Sequence, residues 1–336
     1  MTMKVVARTE VDERAWDREI AAHDGTVFHS AAWARYRCAG GRGSPLFLRW
    51  EDDGAAEPAA LALAIVRPPR RSALGRVVGS VQIDGGPCTR RTGEDLVAPL
   101  VGWARRHPAF IELRLGSYDQ RAAWQPGDPP QPTRRVEFVM RPDPGADPYD
   151  GLRKMARRAV RRAERRGVTV ELSEAAGDVA ALADLHAATL KRIEESKNVV
   201  IQTPGRAELV DSLQVLIASG AGHAWVARED GRVVAGVLFA VHGGTAYHLI
   251  NGASPDGLAS GAIPLTFVTA LRRYAAERYV RVNLGGTSAE AQAPDSPDHG
   301  LYSFKQGLGA SPVPCTTGYV ALGRLRRSLI ARVRRR

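Results

Sequence analysis

One order of elements occurs twice in this chain. In the first half the apolar run 46–50 is followed by Asp52-Asp53-Gly54 and by a returning run at 61–66. In the second half 223–228 is followed by Glu229-Asp230-Gly231 and by 233–241. Asp-Gly between alternating apolar runs is a hairpin signal. Each hairpin is followed by another strand-like run (77–83; 245–250), a helical stretch (93–106; 261–278) and a further strand (110–115; 279–284). Each half ends on one more strand, at 136–140 and at 313–322. Gly54 and Gly231 lie about half a chain apart, so the pattern predicts a duplicated α/β unit whose sheets are mixed and largely antiparallel.

The 336 residues are enough for two such units. Pro126, Pro129, Pro130, Pro132, Pro142, Pro144 and Pro148 crowd into one region around the apolar run 136–140. Proline fixes φ and removes a donor, so these flanks lie outside element interiors. They place a boundary at 141–149, with a first domain over 1–145 and a second over 149–317. The apolar runs are strand-sized and far short of a membrane span, and the N-terminal stretch has no apolar signal-peptide core. Cys38, Cys88 and Cys315 are odd in number and widely spaced, which excludes a disulfide framework and a CxxC metal pattern. A reducing, cytoplasmic compartment is the expectation.

Lys plus Arg number 47 against 36 Asp plus Glu, a net charge of +11. Such a surplus points to a polyanionic partner, either nucleic acid, nucleotide phosphates or an anionic membrane face. The charge is concentrated at 151–167, GLRKMARRAVRRAERRG. At helical spacing Leu152, Met155, Ala156, Ala159 and Ala163 share one side. Lys154, Arg157, Arg158, Arg161, Arg162 and Arg165 share the other. A solvated helix face usually mixes signs and gains from i,i+4 pairs. This one repels itself until an anion arrives, so these six residues are the expected phosphate contacts. The C-terminal residues Arg326, Arg327, Arg332, Arg334 and Arg335 fit a frayed tail, a second phosphate contact or a peripheral membrane contact equally well.

Several chemistries are excluded. There is no G-x-S-x-G nucleophile elbow, no Walker A loop and no HExxH. His242 and His248 flank Gly243-Gly244 and read as a structural pair, so no metal site is expected. Three glycine-marked segments remain. Asp84-Gly85-Gly86-Pro87 and Asn283-Leu284-Gly285-Gly286-Thr287-Ser288 each follow a strand, where α/β folds collect ligands and where glycine admits close backbone approach. The third runs from His299 to Gly309 and carries Tyr302, Phe304 and Lys305. The only lysines are Lys4, Lys154, Lys191, Lys197 and Lys305. A lysine framed by glycines offers a compact ammonium for a developing oxyanion. The same pattern also fits a surface lysine on a short helix.

Here a resemblance enters. Gly300-Leu301-Tyr302-Ser303-Phe304-Lys305-Gln306-Gly307-Leu308-Gly309 resembles the G-[LV]-Y-x-F-K-x-G-[FL]-G element of the FemABX family, the aminoacyl-tRNA-dependent transferases. Phe28-His29-Ser30-Ala31-Ala32-Trp33 through Arg37 resembles its F-x-Q-S-x-x-W segment, which ends in a basic residue. Asp84 to Pro87 resembles its R-G-P turn, and 154–168 its basic helix. Asn283 to Gly286 resembles its strand-to-Gly-Gly element. Gly86 stands where the family has Arg, His29 where it often has Gln, and no heptad-rich insertion provides a coiled-coil arm.

The resemblance implies two tandem GNAT-like domains, with 318–336 joining the first. It implies transfer of an amino acid from charged tRNA to a primary amine, in a muropeptide precursor or a natural-product intermediate, without metal or cofactor and without a stable protein partner. Lys305 is then the expected catalytic cation, and Asp84 orients or deprotonates the amine. Trp33, Arg37, Gly85, Gly86, Asn283, Gly285, Gly286, Thr287, Ser288, His299, Tyr302 and Phe304 line the substrates, with Tyr302 and Phe304 shaping the site or stacking near the terminal adenosine. Two alternatives stand beside this. An acyl-CoA-dependent N-acyltransferase needs an [RQ]-x-x-G-x-[GA] loop, which neither 255–262 nor 71–75 supplies. A non-catalytic RNA-binding protein needs the basic helix but not Lys305.

Overall fold

Short apolar runs with two-residue alternation form strands here, and their order repeats. The structure is a computed structural model that describes residues 3–67, 79–91, 93–116, 118, 131–201 and 203–322. The arginine-rich C-terminal stretch and the loop at 71–75 lie outside the described residues. The chain forms two compact units, Met1–Arg135 with Pro314–Arg336, and Val136–Val313. The division falls inside two strands, so the Pro-rich loop at 141–149 belongs to the second unit. Proline there marks a turn after a strand, not the edge of a core.

The first unit contains β1 (Lys4–Arg8), α1 (Glu13–Ala22), α2 (Ala31–Cys38), β2 (Ser44–Glu51), β3 (Ala60–Arg67), β4 (Gly79–Ile83), α3 (Val97–Arg106) and β5 (Phe110–Leu115). The start of β6 (Gln131–Met140) and most of β12 (Ser311–Ala321) also belong to it. Its sheet runs β1-β2-β3-β4-β5-β12. β4 and β5 are parallel, and the other pairs are antiparallel. Val81, Ile83, Leu113 and Leu115 share one core with Leu100 and Trp103 of α3. The sequence places a turn at Asp52-Asp53-Gly54, but β2 and β3 are joined by the longer connection 52–59.

The second unit contains the end of β6, α4 (Lys154–Arg165), β7 (Thr169–Ser173), α5 (Ala176–Lys197), α6 (Arg206–Ala218), β8 (Gly222–Glu229) and β9 (Arg232–His242). It continues with β10 (Thr245–Ala253), α7 (Pro255–Ser260), α8 (Ala262–Ala276), β11 (Arg281–Ser288) and α9 (His299–Gly307). Its order is β6-β11-β10-β9-β8-β7. β10 and β11 are parallel, whereas β7-β8-β9-β10 is an antiparallel meander. Here Asp230 and Gly231 do form a two-residue turn, with φ of 50° and 76°, as a type I′ hairpin demands. The core gathers Phe138, Phe239, Phe267, Leu271 and Tyr274. Among the described residues no helix is long and apolar enough to cross a membrane.

Candidate active site

The Lys305 site is built at the point where two parallel strands part. β10 and β11 pair only from Thr245↔Arg281 to Tyr247↔Asn283. Beyond that point β10 bulges between His248 and Ile250, and β11 bends at two glycines. Gly285 has φ +77°, a region costly for any residue with a Cβ. A Cβ on Gly286 would lie 2.1 Å from Glu137 Oε1 and 2.6 Å from the Val136 carbonyl oxygen. Glycine is what lets β11 lie close against β6. The Gly285 amide donates to Asn283 Oδ1 at 2.7 Å, which fixes the bend. The pair thus sits inside β11, not in a turn after it, and Thr287 and Ser288 continue the strand.

α9 delivers Lys305 to this bend. Tyr302 and Lys305 are three residues apart and so share a side of the helix; both are buried, at 5% and 6% exposure. Lys305 Nζ donates to the Gly286 carbonyl at 3.1 Å and lies 5.6 Å from the Phe138 ring centroid. The Gly286 carbonyl and the Phe138 π face are partners of the kind a buried ammonium needs. Tyr302 packs edge-on against Phe138 at 5.0 Å and stacks with His299. Phe304 meets Phe267 at 5.9 Å. His299 holds Ala291 O through Nδ1 and Ser303 Oγ through Nε2. These three side chains brace α9; Tyr302 lies in the core, not on a face open to an adenine ring.

His248 belongs to the same bend. Burial first, and then Lys305, push its imidazole down to about 3, so a neutral ring faces the ammonium. Its Nε2 is buried with no hydrogen-bond partner. Sequence reasoning set His248 aside as the structural partner of His242. Nothing in the local sequence announces it, because its neighbour Lys305 arrives from a helix more than fifty residues later.

In the first unit the expected residues also converge. Trp33 and Arg37, four apart on α2, both reach Asp84. Trp33 Nε1 donates to Asp84 Oδ2 at 2.9 Å, and Arg37 Nη1 is 3.4 Å from the same oxygen. Gln82 Nε2 donates to Oδ1 at 2.7 Å. Both oxygens of this carboxylate, 3% exposed, are therefore engaged. Thr26 N–H donates to His29 Nδ1, which puts the ring proton on Nε2, and Nε2 donates to Gly86 O at 2.9 Å. A Cβ on Gly85 would come within 2.7 Å of His29. Gly85 and Gly86 are thus the seat of His29. Around Asp84 the cations outnumber the acid. Burial, and next the charge of Arg37, bring the Arg67 guanidinium down to about 10. Arg37 Nε and Arg67 Nε are buried without partners, and Arg37 lies over the Trp33 ring.

The basic helix divides in two. Arg157 donates to the carbonyls of Leu152 and Asp150, Arg161 to the Tyr149 hydroxyl, and Arg162 to Ser260 O. These three tie α4 to its own unit. Lys154, Arg158 and Arg165 are exposed and make no such bond among the described residues. Val160 and Ala163 are the buried side of α4, whereas Met155, expected inside, is 73% exposed.

The helix N-termini after β4 in the first unit and after β10 in the second have orphan amides that would suit a diphosphate. Neither is open. In the first unit, Val97 N and Ala98 N donate to Asp95 Oδ1 at 3.0 and 2.9 Å. In the second, Ser260 and Ala262 are fully buried, and a Cβ on Gly261 would lie 2.5 Å from Ala159 O of α4.

The family model described as acetyltransferase (GNAT) domain matches residues 151–298. No curated protein sequence matches the chain. Among solved structures, FemX aligns with a TM-score of 0.68 at 13% identity, over 93% of this chain and 96% of that one. A tandem GNAT protein from the clavulanic acid biosynthesis pathway aligns with 0.55 at 12% identity, over 96% and 99%. The C-terminal domain of a putative lysylphosphatidylglycerol synthetase from Agrobacterium fabrum aligns with 0.51 at 14% identity, over 95% of each chain. The fold of this chain is therefore two GNAT-like units in tandem, as in FemX and the clavulanic acid pathway protein.

Proposed function

We propose that this protein is an aminoacyltransferase that moves an amino acid from the terminal ribose ester of aminoacyl-tRNA to a primary amine, forming an amide. The observation that carries the reading is Lys305, a buried ammonium held at the Gly285-Gly286 bend where β10 and β11 part. Ester aminolysis needs orientation and charge stabilisation more than it needs metal or ATP. The amine nitrogen attacks the ester carbonyl, the C–N bond forms, the C–O bond to the ribose breaks, and the proton lost by the amine ends on the departing ribose oxygen. Lys305 stabilises the tetrahedral oxyanion or the departing ribose oxygen. Lys154, Arg158 and Arg165 meet tRNA or acceptor phosphates. Arg37, with Arg67 beside it, meets an anionic group of the acceptor. Asp84 serves as the anchor that orients Trp33 and Arg37.

Two features favour this reading over acyl-CoA chemistry. Asp95 occupies the amides that a diphosphate would need in the first unit, and α4 covers their counterparts in the second. The test is incubation with a mixed pool of charged tRNAs and candidate amines, read by mass spectrometry. An amide product that requires charged tRNA supports the proposal. No product with charged tRNA, together with a rise in Tm on adding acetyl-CoA, overturns it. Equal affinity for charged and uncharged tRNA without product identifies an RNA-binding protein instead.

A further inference from the structure

We infer that His248 is a substrate-touching residue of the transfer step, whose Nε2 lone pair accepts a hydrogen bond from the attacking amine and seats that amine, uncharged, at the fork between β10 and β11. This rests on the transfer reading above, and the experiment below separates the two.

The seat lies wholly within the second unit. Tyr247 and Asn283 are the last paired residues of the two parallel strands, so His248 is the first residue of β10 past the closed ladder. β10 bulges directly after it. A Cβ on Gly285 would lie 3.3 Å from Lys305 Nζ and 3.9 Å from His248 Nδ1. The ammonium and the imidazole therefore flank one point, which the absent side chain of Gly285 leaves open. Gly286 faces different neighbours, Glu137 and Val136 of β6. His248, Leu249, Gly285 and Gly286 are each partly exposed, so a small molecule reaches the fork from solvent.

The ring is held in one orientation. Its centroid is 5.8 Å from that of Phe239 and 5.2 Å from that of Phe267. Backbone hydrogen bonds at Leu284 and Ile250 favour a proton on the ring, as carbonyl acceptors do. Nε2 is buried and makes no hydrogen bond among the described residues, so the bonded, proton-bearing nitrogen is Nδ1. Nε2 is then a lone-pair acceptor. A buried polar atom without a partner is uncommon in a folded protein, and a ligand N–H supplies the partner it lacks.

Charge around the ring decides the form of the amine. Burial, and then Lys305, push the imidazole down to about 3, with a smaller push from His186 of α5, so the ring is uncharged at neutral pH. An ammonium has no lone pair with which to attack, and Lys305 repels it. A carboxylate in place of His248 would offset that repulsion and favour the protonated amine. A neutral imidazole accepts the N–H and leaves the amine its own lone pair. The C–N bond then forms, the C–O bond breaks and the proton ends on the ribose oxygen; His248 keeps none.

The probe is 2,2,2-trifluoroethylamine, which is uncharged at neutral pH, with ethylamine, an ammonium there, as its control. Each is titrated into the full chain labelled with ¹⁵N-histidine, and the His248 signals are assigned by difference against His248→Phe. The expected result is that trifluoroethylamine moves the Nε2 resonance and saturates at millimolar concentration, whereas ethylamine needs about tenfold more or has no effect. In steady-state transfer from charged tRNA, His248→Phe lowers kcat/KM for the amine about tenfold or more and leaves the KM for charged tRNA unchanged. His248→Gln, whose side-chain oxygen accepts the same bond, recovers part of that loss. If His248→Phe does not fold, as judged by its thermal melt, His248→Leu replaces it. No movement of Nε2 overturns the proposal, as do equal movements with both amines or equal losses in the Phe and Gln variants. Movement of Nε2 without any tRNA-dependent product leaves the seat standing and removes the transfer reading. Product formation with an unchanged kcat/KM for the amine in His248→Phe removes the seat and leaves transfer standing.

Discussion

The two units repeat one plan and differ where their parallel strands end. In the first unit β4 and β5 stay together from Gly79↔Phe110 to Ile83↔Leu115, and the next amide, of Gly116, donates back to Ile83 O at 2.8 Å. In the second, β10 and β11 part after Tyr247↔Asn283. A bulge on one strand and two glycines on the other open the fork that receives Lys305. Splayed parallel strands expose backbone groups that a closed pair consumes, and in the second copy Lys305 donates to one of them, the Gly286 carbonyl. The first copy keeps its strand ends shut.

The glycines test that contrast most severely. Gly286→Ala drives a Cβ toward a backbone carbonyl, and overpacking of this kind typically costs about 1–3 kcal/mol. A loss at the upper end is expected, read as the drop in unfolding free energy by urea titration. The atoms nearest a Cβ at Gly85 are side-chain atoms of His29 and Phe28, not backbone, so Gly85→Ala is expected to cost less. Equal losses would mean that the two bends are interchangeable turns. Next in size, Lys154→Glu with Arg158→Glu should weaken tRNA binding about tenfold or more and flatten its salt dependence. The same reversal at Arg157 and Arg161 also breaks their bonds to Asp150, Leu152 and Tyr149, so it should lower the melting temperature as well. Filter binding across a salt series, with a thermal melt of each variant, separates the two pairs.

A further expected effect concerns acid. The His248 imidazole sits near 3 in the folded protein, because of burial and the nearby Lys305 and His186 charges, against about 6.5 in an unfolded chain. The folded state therefore binds fewer protons than the unfolded one between those values. Its contribution to stability is present above about 6.5 and declines as the pH falls toward 3. His248→Leu should lose less melting temperature between pH 6.5 and pH 4 than the wild type. A parallel decline in both proteins would place the acid sensitivity elsewhere.

Much of this was legible in the sequence because it is local. Alternation and Asp-Gly turns announced the hairpins, and the Gly-framed segment announced α9, while the pattern left open whether Lys305 faces inward or outward. The resemblance at Trp33, Arg37 and Asp84 turned out to mark residues that touch one another. What stayed hidden depends on register between distant strands. His248 reads as half of a turn until Lys305 is placed beside it. The amphipathic wheel of α4 was right in charge and wrong at Met155, since the helix is buried over a narrower stripe than its apolar residues cover. For Tyr302 the resemblance implied shaping the site or stacking near the adenosine, and it could not show that Phe138 and His299 already cover the ring.

The central claim is that the ammonium of Lys305 supplies charge to the transfer step. Single-turnover amide formation from charged tRNA, compared between the wild type and Lys305→Met, tests it most directly. Loss of a donor of this kind typically costs about 10²–10³ in rate. The account predicts a fall of that size with tRNA affinity held within a few fold, and a near-normal rate in Lys305→Met would contradict it.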